Sequence, residues 1–251
     1  MSVFRGKFSK TGEMKYISHL DLVRLFHRVL RRSGINISYT QGFNPHPIIS
    51  FATALSLGVE SQGEYFDLKL TEKIPAKEFK ERINRYMPEG IEVLAGKYID
   101  PKEASLMSIV QYSDYEISVE FSGLEMDEDA LNQFIHGFLN QESIMITRKK
   151  KKKRRQRYQE FKEVDVKPLI KSFTLEKKIE EKFIFDTLLV TGSKGNLKPD
   201  DLMGLLEKYL KNQIRDEEKE FSLEITSMEI FRRDLYHEVN GELKDLIDAA
   251  K

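Results

Sequence analysis

The 251-residue chain contains no cysteine. That absence excludes disulfides, Cys-ligated zinc, a cysteine nucleophile and thiolate-held iron–sulfur clusters. Its five histidines, at 19, 27, 46, 136 and 237, include no His-x-x-x-His pair, so no metal is expected. Neither the Gly-x-x-x-x-Gly-Lys-Ser/Thr phosphate loop nor the Gly-x-Gly-x-x-Gly dinucleotide fingerprint occurs, and no cofactor is expected. No apolar run approaches the roughly 20 residues of a membrane span. The opening Met-Ser-Val-Phe-Arg-Gly-Lys has no apolar stretch of the secretory kind, so the expected compartment is the cytoplasm, without a membrane partner.

What remains is a polar globular composition, 40% hydrophobic and 33% charged, long enough for two domains. Net charge is zero, but it is unevenly spread. Residues 1–50 carry Arg5, Lys7, Lys10, Lys15, Arg24, Arg28, Arg31 and Arg32 against only Glu13 and Asp21. A second basic run, Arg148 to Arg157, is broken only at Gln156. Two cationic patches under a neutral average point to an anionic partner, most often nucleic acid.

Periodicity predicts a strand over Val3–Phe8. A helix over His19–Ser33 has Ser18 as N-cap, Asp21 closing a capping box and Gly34 as terminator. Leu22, Leu25, Phe26, Val29 and Leu30 form its apolar stripe, with Arg24, Arg28, Arg31 and Arg32 outside it. A short strand over Ile35–Tyr39 precedes Gly42-Phe43-Asn44-Pro45-His46-Pro47, where two prolines hold the backbone extended around His46. An extended stretch over Ile48–Leu57 and a strand over Glu64–Leu70 follow. Pro75 opens a helix with core positions Phe79, Ile83 and Tyr86, and the next strand is Ile91–Tyr98.

After a linker at Ile99–Ser108 the pattern repeats. Strands are expected at Tyr112–Phe121, Ser143–Thr147, Lys182–Thr191 and Phe221–Phe231, with helices at Asp127–Asn140 and from Pro199. Val164–Ile170 reads as a crossover into a turn, and Leu243–Ala250 as a loose helix. Phe79, Ile83 and Tyr86, which follow Pro75, share the i, i+4, i+7 spacing of Leu202, Leu206 and Tyr209, which follow Pro199. The expected fold class is therefore α+β: two tandem ferredoxin-like β-α-β-β-α-β domains with antiparallel sheets, over residues 1–104 and 105–251.

Four phrases carry a resemblance: Lys15-Tyr16-Ile17-Ser18-His19-Leu20-Asp21-Leu22, Arg28-Val29-Leu30-Arg31-Arg32, Gly42-Phe43-Asn44-Pro45-His46-Pro47 and Leu57-Gly58-Val59-Glu60-Ser61. With Val164-Asp165-Val166-Lys167-Pro168-Leu169-Ile170 they resemble a bacterial family of radical-SAM-linked proteins, a domain of unknown function fused to or encoded beside a radical SAM protein. The resemblance implies a radical SAM partner. Lacking cysteine, this chain is the companion and not the radical enzyme.

The expected function is that of an RNA-binding accessory to that enzyme, in tRNA or rRNA modification. The candidate RNA-binding residues are Arg24, Arg28, Arg31 and Arg32 of the helix, which would contact phosphates, Tyr39 and Phe43, either of which could stack on a base, and Lys15, Asn44, His46, Lys150, Lys152 and Arg154. Core packing is the favoured role for Phe43. A second reading is a metal-independent RNA endonuclease of the Cas6 type, with His19, His46 and Tyr16 as acid/base candidates. For both histidines a helix-start or loop-bracing role is favoured over catalysis. A third is a protein-interaction module that uses Glu60, Ser61, Glu64 and the Asn-Pro-His-Pro loop and never touches RNA.

Overall fold

The computed structural model describes residues 2–124, 126–150, 160–214 and 223–250. The chain is a mixed α+β protein with a large, mostly antiparallel sheet and few helices. It divides into two compact units: residues 1–114, 191–194 and 230–251, and residues 115–190 and 195–229. The first crossing falls between Asp114 and Tyr115. The C-terminal segment then returns to the first unit, which a simple split into halves does not anticipate.

In the first unit, β1 (Ser2–Lys10) leads through a 3₁₀ turn (Gly12–Tyr16) into α1 (His19–Ser33). After the proline loop come β2 (Ile49–Phe51), β3 (Glu60–Leu70), α2 (Ala76–Asn84), β4 (Ile91–Ile99) and the single-turn α3 (Leu106–Ile109). β1 lies between β4 and β3, antiparallel to both, and β2 pairs antiparallel with β3 through Ile49–Leu68 and Phe51–Phe66. The strand order is thus β4-β1-β3-β2. Alternation along β1 and β3 sorts the side chains. Phe4, Phe8, Phe66, Leu68 and Leu70 join Phe26, Val29 and Leu30 of α1 and Phe79 and Ile83 of α2 in one buried cluster. Each such side chain stabilises by roughly 1.5–3 kcal/mol. Arg5, Lys7, Tyr65 and Asp67 occupy the intervening positions. Tyr65 packs with Leu106, Ile109, Leu235 and Leu246 in a second cluster.

The helix limits of α1 are those expected from its caps. Ser18 Oγ accepts from Asp21 N–H at 3.1 Å and donates to Asp21 Oδ2 at 2.7 Å, and Gly34 closes the helix at φ 65°. The expected strand at Ile35–Tyr39 is reduced to two isolated bridges, Ile37–Leu70 and Tyr39–Pro47.

The second unit holds most of β5 (Tyr112–Ser122), then α4 (Glu128–Leu139), β6 (Met145–Lys149), β7 (Phe161–Asp165), β8 (Ile170–Ile179), β9 (Lys182–Val190), α5 (Pro199–Gln213) and the start of β10 (Glu224–Val239). The strand order here is β10-β5-β9-β8, and β6–β7 forms a separate hairpin. The second strand of this sheet is therefore β8 and not the expected Ser143–Thr147, which belongs to the hairpin. Phe173 and Leu175 of β8 are buried, and Phe173 stacks on Phe185 of β9 with ring centroids 5.4 Å apart.

β10 is longer than expected and carries the chain back to the first unit, where Phe231 and Arg232 pair in parallel with Glu60 and Ser61 of β3. Gly63 permits this approach, since a Cβ there would lie 2.3 Å from Asp234 Cα. The expected C-terminal helix is instead β11 (Glu242–Asp245), folded onto β10 by an Asn240-Gly241 turn with φ of 54° and 85°. Turn residues follow it.

Candidate nucleic-acid interface

The proline loop is a small closed hairpin. Thr40 N–H donates to His46 O at 2.9 Å and Ile48 N–H to Ser38 O at 2.9 Å, while Ser38 N–H donates to Lys69 O at 2.9 Å, tying the loop to β3. His46 N–H donates to Thr40 Oγ1 at 3.1 Å, and its Nδ1 lies 3.3 Å from Thr40 Oγ1 and 3.2 Å from Asn44 O. His46, itself exposed, thus braces the hairpin through these bonds. Pro47 is buried, and the tip from Gln41 to Pro45 is exposed. Phe43 stands at that tip fully exposed, which corrects the expectation of core packing. Gly42, at φ 121°, makes the bend that turns it outward.

The hairpin lies against α1 through a ring contact between His27 and His46, with centroids 5.7 Å apart. Burial, then the His46 and Arg31 charges, hold His27 below the usual imidazole range. His27 therefore binds protons less readily when folded. This contribution to stability is present above about pH 6.5, the unfolded value, and is lost as pH falls through the folded one. The expected result is weaker amide protection, relative to the intrinsic exchange rate, in residues 40–44 and 46 as pH falls below about 6.5, with a shallower pH dependence in His46→Ala. An NMR titration checks it.

Helical geometry then places the arginines. At about 100° per residue, going round α1 gives the order His27, Arg31, Arg24, Arg28, Arg32, Leu25, so the arginines fan over roughly 100°. All four are exposed. Among the described residues, only Arg24 has a carboxylate within ion-pair distance, Asp21 at 3.2 Å. The Ser18 hydroxyl and then Arg24 hold that Asp21 carboxyl below its usual range. Arg31 Nε donates to His27 O at 3.2 Å, and the Arg32 guanidinium carbon lies 5.8 Å from the Tyr86 ring centre.

On the side of the fan away from the hairpin is an open groove of about 550 Å³, lined by Leu25, Arg28, Val29, Arg31, Arg32, Tyr86, Met87 and Pro88. Tyr86 was expected in the helical core. The helix stops at Asn84, so Tyr86 falls in the following turn, partly exposed. Sequence reasoning missed it as a surface residue, although Pro88 marks the region as a helix end.

The remaining candidates are distributed. Lys15 Nζ binds Glu60 at 3.1 Å and lies 5.4 Å over the ring of exposed Tyr16. Gly58 N–H donates to Lys15 O at 3.0 Å, so the Lys15–Leu22 and Leu57–Ser61 phrases meet in space. His19 lies edge-on to Phe51 at 5.5 Å, whereas His46 meets His27, about 12 Å further along the α1 axis at 1.5 Å per residue. Tyr39 is partly exposed beside Pro47. In the second unit Lys150 binds Glu160 at 3.1 Å; Lys152 and Arg154 lie outside the described residues. Glu116, Glu176 and Asp186, also in the second unit, bring carboxylate oxygens within 4.8 Å of one another, and each also interacts with a neighbour. Among the described residues no helix is long and apolar enough to cross a membrane.

Residues 4–199 match the family described as an uncharacterized protein conserved in bacteria (DUF2344). The chain belongs to that family. No protein with a curated description matches it. Among solved structures, a chain in the crystal structure of a Cbf5–Nop10–Gar1 complex is similar at 8% identity and a TM-score of 0.46, over 93% of this chain and 48% of that one. This family member therefore spans about half the length of that solved chain.

Proposed function

We propose that this chain is a cytoplasmic RNA-binding accessory of a radical SAM enzyme, acting in tRNA or rRNA modification. The observation that carries the RNA reading is the fan of exposed arginines on α1, bordered by a braced hairpin that holds Phe43 in solvent. Guanidinium groups facing solvent suit phosphates, and an exposed ring on a fixed loop suits an unpaired base. The radical SAM partnership rests on the resemblance of the four first-unit phrases. Both units are read as ferredoxin-like, which the strand orders β4-β1-β3-β2 and β10-β5-β9-β8 support.

The test is binding to bulk bacterial tRNA by fluorescence polarisation. Phe43→Ala is expected to weaken binding by about 1–3 kcal/mol, the usual worth of one base–aromatic stack, and to leave the melting temperature unchanged because the ring buries nothing. Equal affinity of the two proteins would remove Phe43 from the interface. The stacked His27–His46 pair keeps an endonuclease as the second reading. RNA cleavage in EDTA that is abolished in His46→Ala would favour it.

A further inference from the structure

We infer that the groove between α1 and the Tyr86–Pro88 turn is a nucleotide subsite, which seats one phosphate on the arginines and its base against Tyr86. This rests on the RNA reading above and narrows it to a single unit of the strand. The groove is of ligand size, about 550 Å³, with Leu25, Val29, Met87 and Pro88 supplying apolar surface and Arg28, Arg31 and Arg32 supplying charge. Among the described residues none of these three guanidinium groups lies within 4 Å of a carboxylate, so their charge is left for a ligand. A cation fan beside an aromatic ring in one cleft fits an anion that carries a flat ring, and a nucleotide joins a phosphate to such a ring.

The walls are fixed in advance. Arg82 Nη2 donates to Ser33 O at 3.1 Å and to Gly34 O at 2.5 Å, clamping α2 to the end of α1. Asn84 is locked to β4 by two bonds, its Nδ2 to Val93 O at 2.9 Å and Val93 N–H to its Oδ1 at 2.8 Å. Tyr86 N–H and Met87 N–H then bond to Ile83 O and Asn84 O, which sets the turn carrying the ring. Arg32 lies over the ring within cation–π range, so aromatic surface and charge open into the same space. A preformed cleft of this kind avoids much of the ordering cost of binding.

The experiment is titration of the full chain with AMP and, separately, with inorganic phosphate, followed by amide NMR, together with competition of AMP against labelled tRNA. AMP is expected to shift the amides of residues 25–32, 86 and 87, to bind at least tenfold more tightly than phosphate, and to displace tRNA. Tyr86→Phe, which keeps the ring, is expected to restore the AMP affinity that Tyr86→Ala loses. Tyr86→Ala is expected to lose about tenfold in AMP affinity, and Arg28→Gln to weaken AMP and phosphate alike. Shifts confined to the groove without displacement of tRNA identify a free nucleotide as the occupant and overturn the RNA assignment of this subsite. AMP binding no tighter than phosphate, or unchanged in Tyr86→Ala, overturns the proposal while tRNA binding by the wild type leaves the RNA reading standing. Failure of the wild type to bind either AMP or tRNA overturns both.

Discussion

Glu64→Gln is expected to lower the stability of the protein by about 3–5 kcal/mol, the usual result of leaving a buried charge without its partner. Glu64 and Arg232 are both almost fully buried, with Arg232 Nε donating to Glu64 Oε1 at 2.8 Å and Nη2 2.6 Å from the same oxygen. Lys10, also buried, feels both charges and donates to Lys15 O and Ile17 O at 3.1 Å each. Burial is the largest influence on Lys10 and lowers its pKa; Glu64 opposes that shift and Arg232 adds to it. One carboxylate thus compensates two buried cations, and the glutamine variant leaves them facing each other. Because these bonds hold the Lys15–Ile17 backbone, the entry to α1 is expected to loosen as well. Thermal unfolding of wild type and variant tests this, with a loss on the order of 10 °C at the few degrees per kcal/mol usual for this size.

The sign of the Lys10 effect supplies an internal check. A lysine with a folded pKa below its unfolded value of 10.5 binds fewer protons when folded. Stability therefore rises with pH through the window between the two values. Glu64→Gln is expected to widen that window on its lower side.

Arg5→Met gives the second large effect, again about 3–5 kcal/mol. Arg5 is fully buried, and its Nε and Nη2 form a two-bond fork on Asp67 at 2.8 and 2.9 Å. Its remaining donors reach Leu246 O at 3.2 Å and Ala104 O at 3.1 Å. One side chain thus joins β1, β3, the segment before α3 and the turn after β11. The methionine strands Asp67 and two carbonyls together. The double variant Arg5→Met/Asp67→Leu is expected to recover most of the loss, since replacing both partners of a buried pair by apolar groups is often close to neutral. No recovery would mean that the two carbonyl bonds, and not the ion pair, hold this region.

The legible parts of the fold were those with local signals. Ser18, Asp21 and Gly34 bound α1 through chemistry that acts within a few residues, and the structure keeps those limits. β8 escaped because Lys171, Lys177 and Lys178 hide the alternation of Phe173 and Leu175, and its turn through Glu180 and Glu181 carries no glycine. β11 had a strong signal in Asn240-Gly241, which outweighs the apolar spacing of Leu243 to Ala250. The return of β10 to β3 depends on a parallel pairing of Phe231 with Glu60, about 170 residues apart, which no local pattern encodes.

The same division runs through the site. The arginine face of α1 follows from a 3.6-residue period and was legible. Phe43 was not, because an apolar ring is more often buried, and only the closed hairpin from Ser38 to Ile48 sets it in solvent. Tyr86 keeps the helical spacing of Phe79 and Ile83 but lies two residues past the end of α2, so periodicity alone places it in the core. Its partnership with Arg32 is tertiary, made by the clamp of Arg82 on Ser33 and Gly34.

The central claim is that the α1 arginines bind RNA phosphates. The direct measurement is tRNA affinity across a salt series for the wild type and for Arg24→Gln/Arg28→Gln/Arg31→Gln. The account predicts tight wild-type binding at low salt that falls steeply as salt rises. The variant is expected to show a slope of log affinity against log salt shallower by roughly two, from about 0.7 per phosphate contact on single strands. No wild-type binding at low salt, or equal slopes in the two proteins, would contradict it.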